Sequence, residues 1–191
     1  MAPVPGDRGQ LLTVMEHQTE AIASRLFEDE DTNVFGIFDG AAIPDLLTHL
    51  SNCELEYECL YRGGLQPDMA EVAPYLVRLD KASGFTNWVI EQGWGNHWGI
   101  FAFSQQDLGP LRRHFRTLLV VHDSNAKPMY FRYYDPRVLR VYLPTCNAGE
   151  LAAIFGPVER YFLEASQPGE ILTFGNNSGV LLQSKEEIKG D

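Results

Sequence analysis

Phe131-Arg132-Tyr133-Tyr134-Asp135-Pro136-Arg137 gathers three aromatic residues, two arginines and an aspartate into seven positions. As a strand, the run puts Phe131 and Tyr133 on one side and Arg132 and Tyr134 on the other. Proline donates no ladder bond but fits the first turn of a helix, so Asp135-Pro136 ends the strand and opens a turn or helix. Arg137 lies two residues beyond Asp135, and a partly buried ion pair is expected between Asp135 and Arg132, Arg137 or an arginine of 112–116. Just upstream, Thr117 to Asp123 and Met129 to Tyr134 flank the turn formers Ser124-Asn125-Ala126-Lys127-Pro128, which predicts an antiparallel hairpin. Helices and strands alternate along the rest of the chain. A hairpin inside that alternation predicts one α/β domain, a mixed β-sheet with helices packed on its faces.

The elements on either side follow from period and punctuation. Leu11, Met15, Ile22 and Leu26 form one face of a helix from Gln10 to Phe27. The run Glu28-Asp29-Glu30-Asp31 ends it, because the helix dipole disfavours negative charge there. Val34 to Phe38 is a buried strand, Pro44 to Leu50 a helix, and Leu55 to Tyr61 a half-exposed strand in which acidic and apolar residues alternate. A strand from Tyr75 to Leu79, a helix from Phe85 to Gln92 and a strand from Trp98 to Phe103 come next. Asp107 and Pro110 open a helix with Leu108, Leu111 and Phe115 as its stripe. Val138 to Leu143 suits helix or strand. Helices are expected at Ala148 to Phe155 and Pro157 to Ala165, then a hairpin of Ile171 to Phe174 with Val180 to Leu182. Residues 1–9 read as a flexible lead-in, 10–184 as the domain and 185–191 as a flexible tail.

Charge is distributed unevenly over the 191 residues, whose net charge is −11. Residues 1–107 carry five basic and 17 acidic side chains, residues 108–149 seven and two, and residues 150–191 three and seven. An acidic body thus bears one arginine-rich segment, which either presents a distinct face or pairs with acids elsewhere in the fold. Overall negativity argues against nucleic acid as a partner. No apolar run approaches the ~20 residues needed to cross a bilayer, and the first residues lack the basic and apolar segments of a secretory signal; no membrane partner and a cytoplasmic location are expected. Cys53, Cys59 and Cys146 form neither a disulfide framework nor a C-x-x-C pair, so buried free thiols are expected.

No frame for catalysis or a cofactor stands out. There is no G-x-S-x-G elbow, and Gly93-Trp94-Gly95 lacks the third glycine and the context of a phosphate loop. The five histidines have no H-x-x-x-H pair for a metal. An Asp/His/Arg site around Asp39, His114, Arg132 and Asp135 would suit a small hydrolase, and His114 or His122 could approach Asp123 or Asp135. Trp94, between glycines in a loop, is an interface candidate unless it closes over the core.

Phe35-Gly36-Ile37-Phe38-Asp39-Gly40-Ala41, Ala73-Pro74-Tyr75-Leu76-Val77, Trp98-Gly99-Ile100-Phe101, Leu111-Arg112-Arg113-His114-Phe115-Arg116, the 131–137 run and Phe155-Gly156-Pro157-Val158 occur in that order. Together, over residues 33–160, they resemble the domain of adaptor chaperones from bacterial type VI secretion systems. His114-Phe115-Arg116 stands where members commonly carry His-Leu-Arg, which keeps the middle position apolar. The resemblance implies a non-enzymatic cytoplasmic protein without a cofactor. Its partners would be a cognate toxic effector and the valine-glycine repeat spike protein that receives it. Candidate partner-binding or motif residues are Trp94, Arg112, Arg113, Arg116, Arg132, Tyr134, Asp135 and Arg137. A small hydrolase and an assembly subunit that carries no effector are the alternatives.

Overall fold

Three neighbouring strands, β1 (Asn33–Asp39), β3 (Pro74–Arg78) and β4 (Gly99–Ser104), form the middle of the sheet in the computed structural model, which describes residues 6–122 and 125–188. The edge strand β2 (Tyr57–Cys59) flanks β3. On the other side β4 is followed by β7 (Arg160–Glu164), β8 (Glu170–Asn177) and β9 (Val180–Glu187). The order is β2-β3-β1-β4-β7-β8-β9, and each pairing is antiparallel. The expected single α/β domain with helices packed on the sheet is present, and the sheet is antiparallel throughout rather than mixed in strand direction. A separate two-stranded hairpin joins β5 (Val120–His122) to β6 (Pro128–Tyr130).

Helices cover both faces of the sheet, which explains why β1 is apolar at consecutive positions. Phe35 and Ile37 point towards α5 (Leu108–Leu118), α6 (Pro136–Tyr142) and α7 (Ala148–Phe155), in a core with Leu111, Phe115, Leu139, Ile154 and Tyr161. Val34 and Phe38 point the other way, towards α1 (Gly6–Leu26), α2 (Leu46–Asn52) and α4 (Gly84–Gly93), in a core with Ile22, Leu50, Phe85, Val89 and Phe101. A strand buried on both sides has no polar face to show, so its pattern is a run rather than an alternation. The Phe38 ring lies back over its own strand: a Cβ on Gly36 would sit 2.2 Å from it. A short helix, α3 (Pro67–Glu71), connects β2 to β3.

Several expectations are corrected. Residues Phe131 to Tyr134 do not continue the strand. β6 stops at Tyr130, and the Asp135 amide donates to the Arg132 carbonyl (3.0 Å) in a turn that carries Tyr133 and Tyr134 into the core. Period two described the alternation, but burial of two consecutive tyrosines between sheet and helix outweighs it. Residues Pro157 to Ala165 are not a helix. Arg160–Glu164 is β7, inserted between β4 and β8, because Tyr161 and Leu163 fill one core while Phe162 faces the other. Residues 185–187, read as part of a flexible tail, belong to β9 and pair with Glu170 to Leu172; residues 189–191 lie outside the described residues. Of the expected lead-in, residues 6–9 belong to α1, and residues 1–5 lie outside the described residues. The segment left open at Val138 to Leu143 is helical through Tyr142, followed by a 3-10 turn at Leu143–Thr145. Cys53, Cys59 and Cys146 are free and half-buried rather than fully buried. No helix among the described residues is long and apolar enough to cross a membrane.

Candidate functional site

β1 and β7 both run antiparallel to β4 between them, so Asp39 and Glu164, their last residues, reach the same end of the sheet. The 131–137 segment passes this end and supplies the cations. Arg132 forms an ion pair with Asp39, whose side chain is buried while that of Arg132 is half exposed. The other Asp39 oxygen accepts from the Ala41 amide at 3.1 Å, which fixes the Asp39-Gly40-Ala41 turn. Gly40 is required there, since a Cβ would lie 2.4 Å from the Ala73 carbonyl oxygen and 2.5 Å from that of Glu71.

Asp135 works at two levels. It is the N-cap of α6, its Oδ1 accepting from the Arg137 amide at 2.9 Å, with Pro136 in the first turn. The same carboxylate takes the Arg137 guanidinium in a two-point grip, Nε to Oδ1 at 3.0 Å and a terminal nitrogen to Oδ2 at 2.7 Å. Burial alone would raise the Asp135 pKa, but the Arg137 side chain and amide outweigh it and hold the carboxyl below its usual value. The expected ion pair at Asp135 is therefore present, with Arg137 as partner. One turn on, Arg140 donates to the Ala165 carbonyl at 3.1 Å and ties α6 to the end of β7.

On the opposite face of the sheet Glu164 is held by Gly95 and His97. The Gly95 amide donates to one carboxylate oxygen, and His97 Nδ1 contacts the other. Both residues adopt left-handed backbone conformations (φ 84° and 59°), the geometry that aims two donors from one tight turn at a single carboxylate. Three buried carboxylates at this end of the sheet thus each have a cationic or amide partner.

The tyrosines of the run complete the joint. Tyr133 is wholly buried, its ring stacked on Phe115 with centroids 5.8 Å apart and its hydroxyl donating to the Phe115 carbonyl at 3.0 Å. Tyr134 is buried beneath Arg132, whose guanidinium lies 6.0 Å from the ring centroid, and its hydroxyl meets that of Tyr61. Burial, and after it the nearby Asp39 carboxylate, push the Tyr134 hydroxyl above its ordinary pKa, so it stays a neutral hydrogen-bonding group.

The remaining candidates fall elsewhere. Arg112 pairs with Glu58 at 3.0 Å, and Arg116 donates to the Cys59 and Tyr61 carbonyls at 2.9 and 2.8 Å; both lash α5 to the edge strand β2. Arg113 is exposed on the same helix. Trp94 is half-buried, its ring stacked on Phe101 (centroids 6.4 Å apart) and tilted against Phe162 (5.7 Å). His114 does not join Asp39, Arg132 and Asp135. Its Nε2 donates to the Ile154 carbonyl at 3.1 Å, and burial pulls its pKa down. His122 is exposed on the hairpin, and Asp123 lies outside the described residues. Among the described residues no group of three or more His, Cys, Asp or Glu side chains is arranged to hold a metal. The chemistry available at this end of the sheet is charge pairing and hydrogen bonding.

Glu164, His97, Glu58 and Tyr61 went unforeseen. The aromatic and apolar positions of Arg160-Tyr161-Phe162-Leu163-Glu164 fit a strand as well as a helix, and its partners in β4 and β8 decide between them.

No curated protein and no solved structure gives a significant match to the chain. A family model described as a domain of unknown function, DUF4123, matches residues 34–153, from β1 through most of α7. That span includes the Asp39 turn, the α5 arginines and the 131–137 segment, and it stops short of Glu164. The chain belongs to the DUF4123 family, which is associated with type VI secretion.

Proposed function

We propose that this protein is a type VI secretion adaptor chaperone: it binds a cognate toxic effector in the cytoplasm and helps load it onto the valine-glycine repeat spike protein. The observation that carries this reading is the DUF4123 match over residues 34–153. The geometry is compatible with it. Most of the arginine-rich segment is spent on holding the domain together, through Arg112, Arg116, Arg132, Arg137 and Arg140. The same segment also exposes apolar side chains on the hairpin, Val120, Met129 and Tyr130. A rigid body with an exposed apolar patch suits a binding module.

Such a chaperone works by mass action, without turnover or cofactor. Binding the soluble, loading-competent form of the effector draws the population away from aggregation-prone forms. Release at the spike requires that the complex be reversible. The test is purification of the tagged protein from its own cytosol with mass spectrometry of the bound chains, alongside effector levels in a deletion strain. The expected result is one toxin-bearing chain in stable complex, depleted when the adaptor is absent. An effector that stays abundant, soluble and fully secreted in the deletion strain would leave an assembly subunit as the better description.

A further inference from the structure

Beside the edge strand β2, a groove of about 650 Å³ opens between the segment after β2, helix α3 and the β5–β6 hairpin. Leu60, Leu65, Met69, Val120 and Tyr130 give it an apolar floor and walls. Met69, Val120 and Tyr130 are 45%, 44% and 78% exposed, a concentration of large apolar side chains at one place on the surface. Its charged lining is of one sign: Arg62 and Arg116 border it and no carboxylate does. Arg112, one turn before Arg116, is paired with Glu58 and adds little net charge, so the groove's positive field comes from Arg62 and Arg116. Two other clefts differ in this respect, one bordered by Glu54 and Asp80 and the other by Asp45 and Glu71. On a chain with net charge −11, this groove is a place where an acidic partner meets cations and apolar surface together.

We propose that this groove docks an amphipathic helical segment of the partner protein, with large apolar side chains on one face and flanking aspartates or glutamates. The inference rests on the adaptor reading and names the chemistry of the segment that the adaptor recognises. A helix fits better than an added strand. Strand addition needs free backbone acceptors at the sheet edge, and the Cys59 and Tyr61 carbonyls are already filled by Arg116. The groove therefore offers side chains: an apolar trough for residues at helical spacing, and guanidinium groups for the acids beside them. Charge complementarity on a protein that otherwise repels acids would set the orientation and speed of association.

The probe is a phage-displayed library of random peptides, each long enough for several helical turns, selected on the intact protein. Selected peptides should share apolar residues at helical spacing with flanking Asp or Glu. Their binding should weaken as salt is raised. Val120→Glu and Tyr130→Glu should each weaken a selected peptide by ~10-fold or more while melting like the wild type, since both side chains are exposed. Arg112 and Arg116 are left alone, because they hold α5 to β2. A library that yields no binder, a basic consensus, or binders indifferent to both substitutions would overturn the proposal. So would a concentration-dependent dimer abolished by the same substitutions, which would make a second copy the occupant. If the cytosolic effector still co-purifies with both variants, the groove assignment falls and the adaptor reading stands. If acidic peptides bind the groove but no effector co-purifies with the wild type, the adaptor reading falls and the groove stands.

Discussion

Tyr130 and Tyr133 stand three residues apart, yet one is 78% exposed and the other wholly buried. The first ends the β5–β6 hairpin, which carries Val120 and Met129 into solvent beside it. The second sits in a segment where nearly every polar group has a partner: Tyr133 on the Phe115 carbonyl, Arg132 on Asp39, Arg137 on Asp135. Aromatic content does not separate the two regions. What separates them is whether a neighbouring element supplies an acceptor or a countercharge, and only the 131–137 segment has helices and strand ends on either side to do so. We propose a division of labour, with the 131–137 segment as scaffold and the exposed hairpin before it as contact surface.

The largest effect should come from setting the two tyrosines against each other. Tyr133→Ala empties a fully enclosed site and removes a buried hydrogen bond, at a cost of about 3–5 kcal/mol. Tyr130→Ala should stay within about 0.5 kcal/mol of wild type. Chemical denaturation of both variants checks this, and equal losses would erase the contrast. Next comes Arg132→Met, which leaves the buried Asp39 carboxylate without its cation. A fully buried orphan would cost about 3–5 kcal/mol, and the half-exposed position of Arg132 brings the expected loss to about 2–3 kcal/mol.

Asp135→Ala removes an N-cap and a two-point ion pair whose arginine is half exposed, and about 1–2 kcal/mol is expected. Asp135→Asn keeps a capping oxygen and should lose less. The acid limb gives a further test. A carboxyl held below its ordinary value stabilises the fold above about pH 4 and loses that contribution as pH falls through its folded-state value. Wild type and Asp135→Asn should therefore differ most near neutrality and converge in strong acid. The smallest effect concerns His114. Its pKa is lowered by burial, so stability is full above about pH 6.5 and declines below it as the unfolded chain takes the proton first. The difference in melting temperature between wild type and His114→Gln should narrow on acidification from pH 8 to pH 5.5, by hydrogen-exchange or thermal measurements across that range.

The layers of the fold were legible because they rest on local signals. The apolar run of β1, Pro110 in the first turn of α5, and the turn residues around Asn176-Asn177-Ser178-Gly179 each specify their element, although Asp107 at the start of α5 makes no side-chain capping bond. Two failures share one cause. Residues 131–134 alternate like a strand but turn into the core, and residues 160–164 looked helical but fill a gap between β4 and β8. In both, the deciding partners lie far away in sequence: Asp39 and Phe115 for the first, Phe101 and Phe174 for the second. The charged residues divide in the same way. Arg137 was among the partners expected for Asp135, because the two lie two positions apart. The Asp39–Arg132 pair spans 93 positions and the His97–Glu164 contact 67, so composition announced the arginines without saying where each would be spent.

The most direct test of the division between scaffold and contact surface measures melting temperature and effector retention together, on Asp135→Ala and Tyr130→Glu, with the effector that co-purifies from the native cytosol. Both proteins are assayed at a temperature where each is folded. Asp135→Ala should melt lower and still retain the effector; Tyr130→Glu should melt like wild type and lose it. The reverse outcome, an Asp135 variant of unchanged stability that no longer binds, would move the 131–137 segment from scaffold to interface and contradict the account.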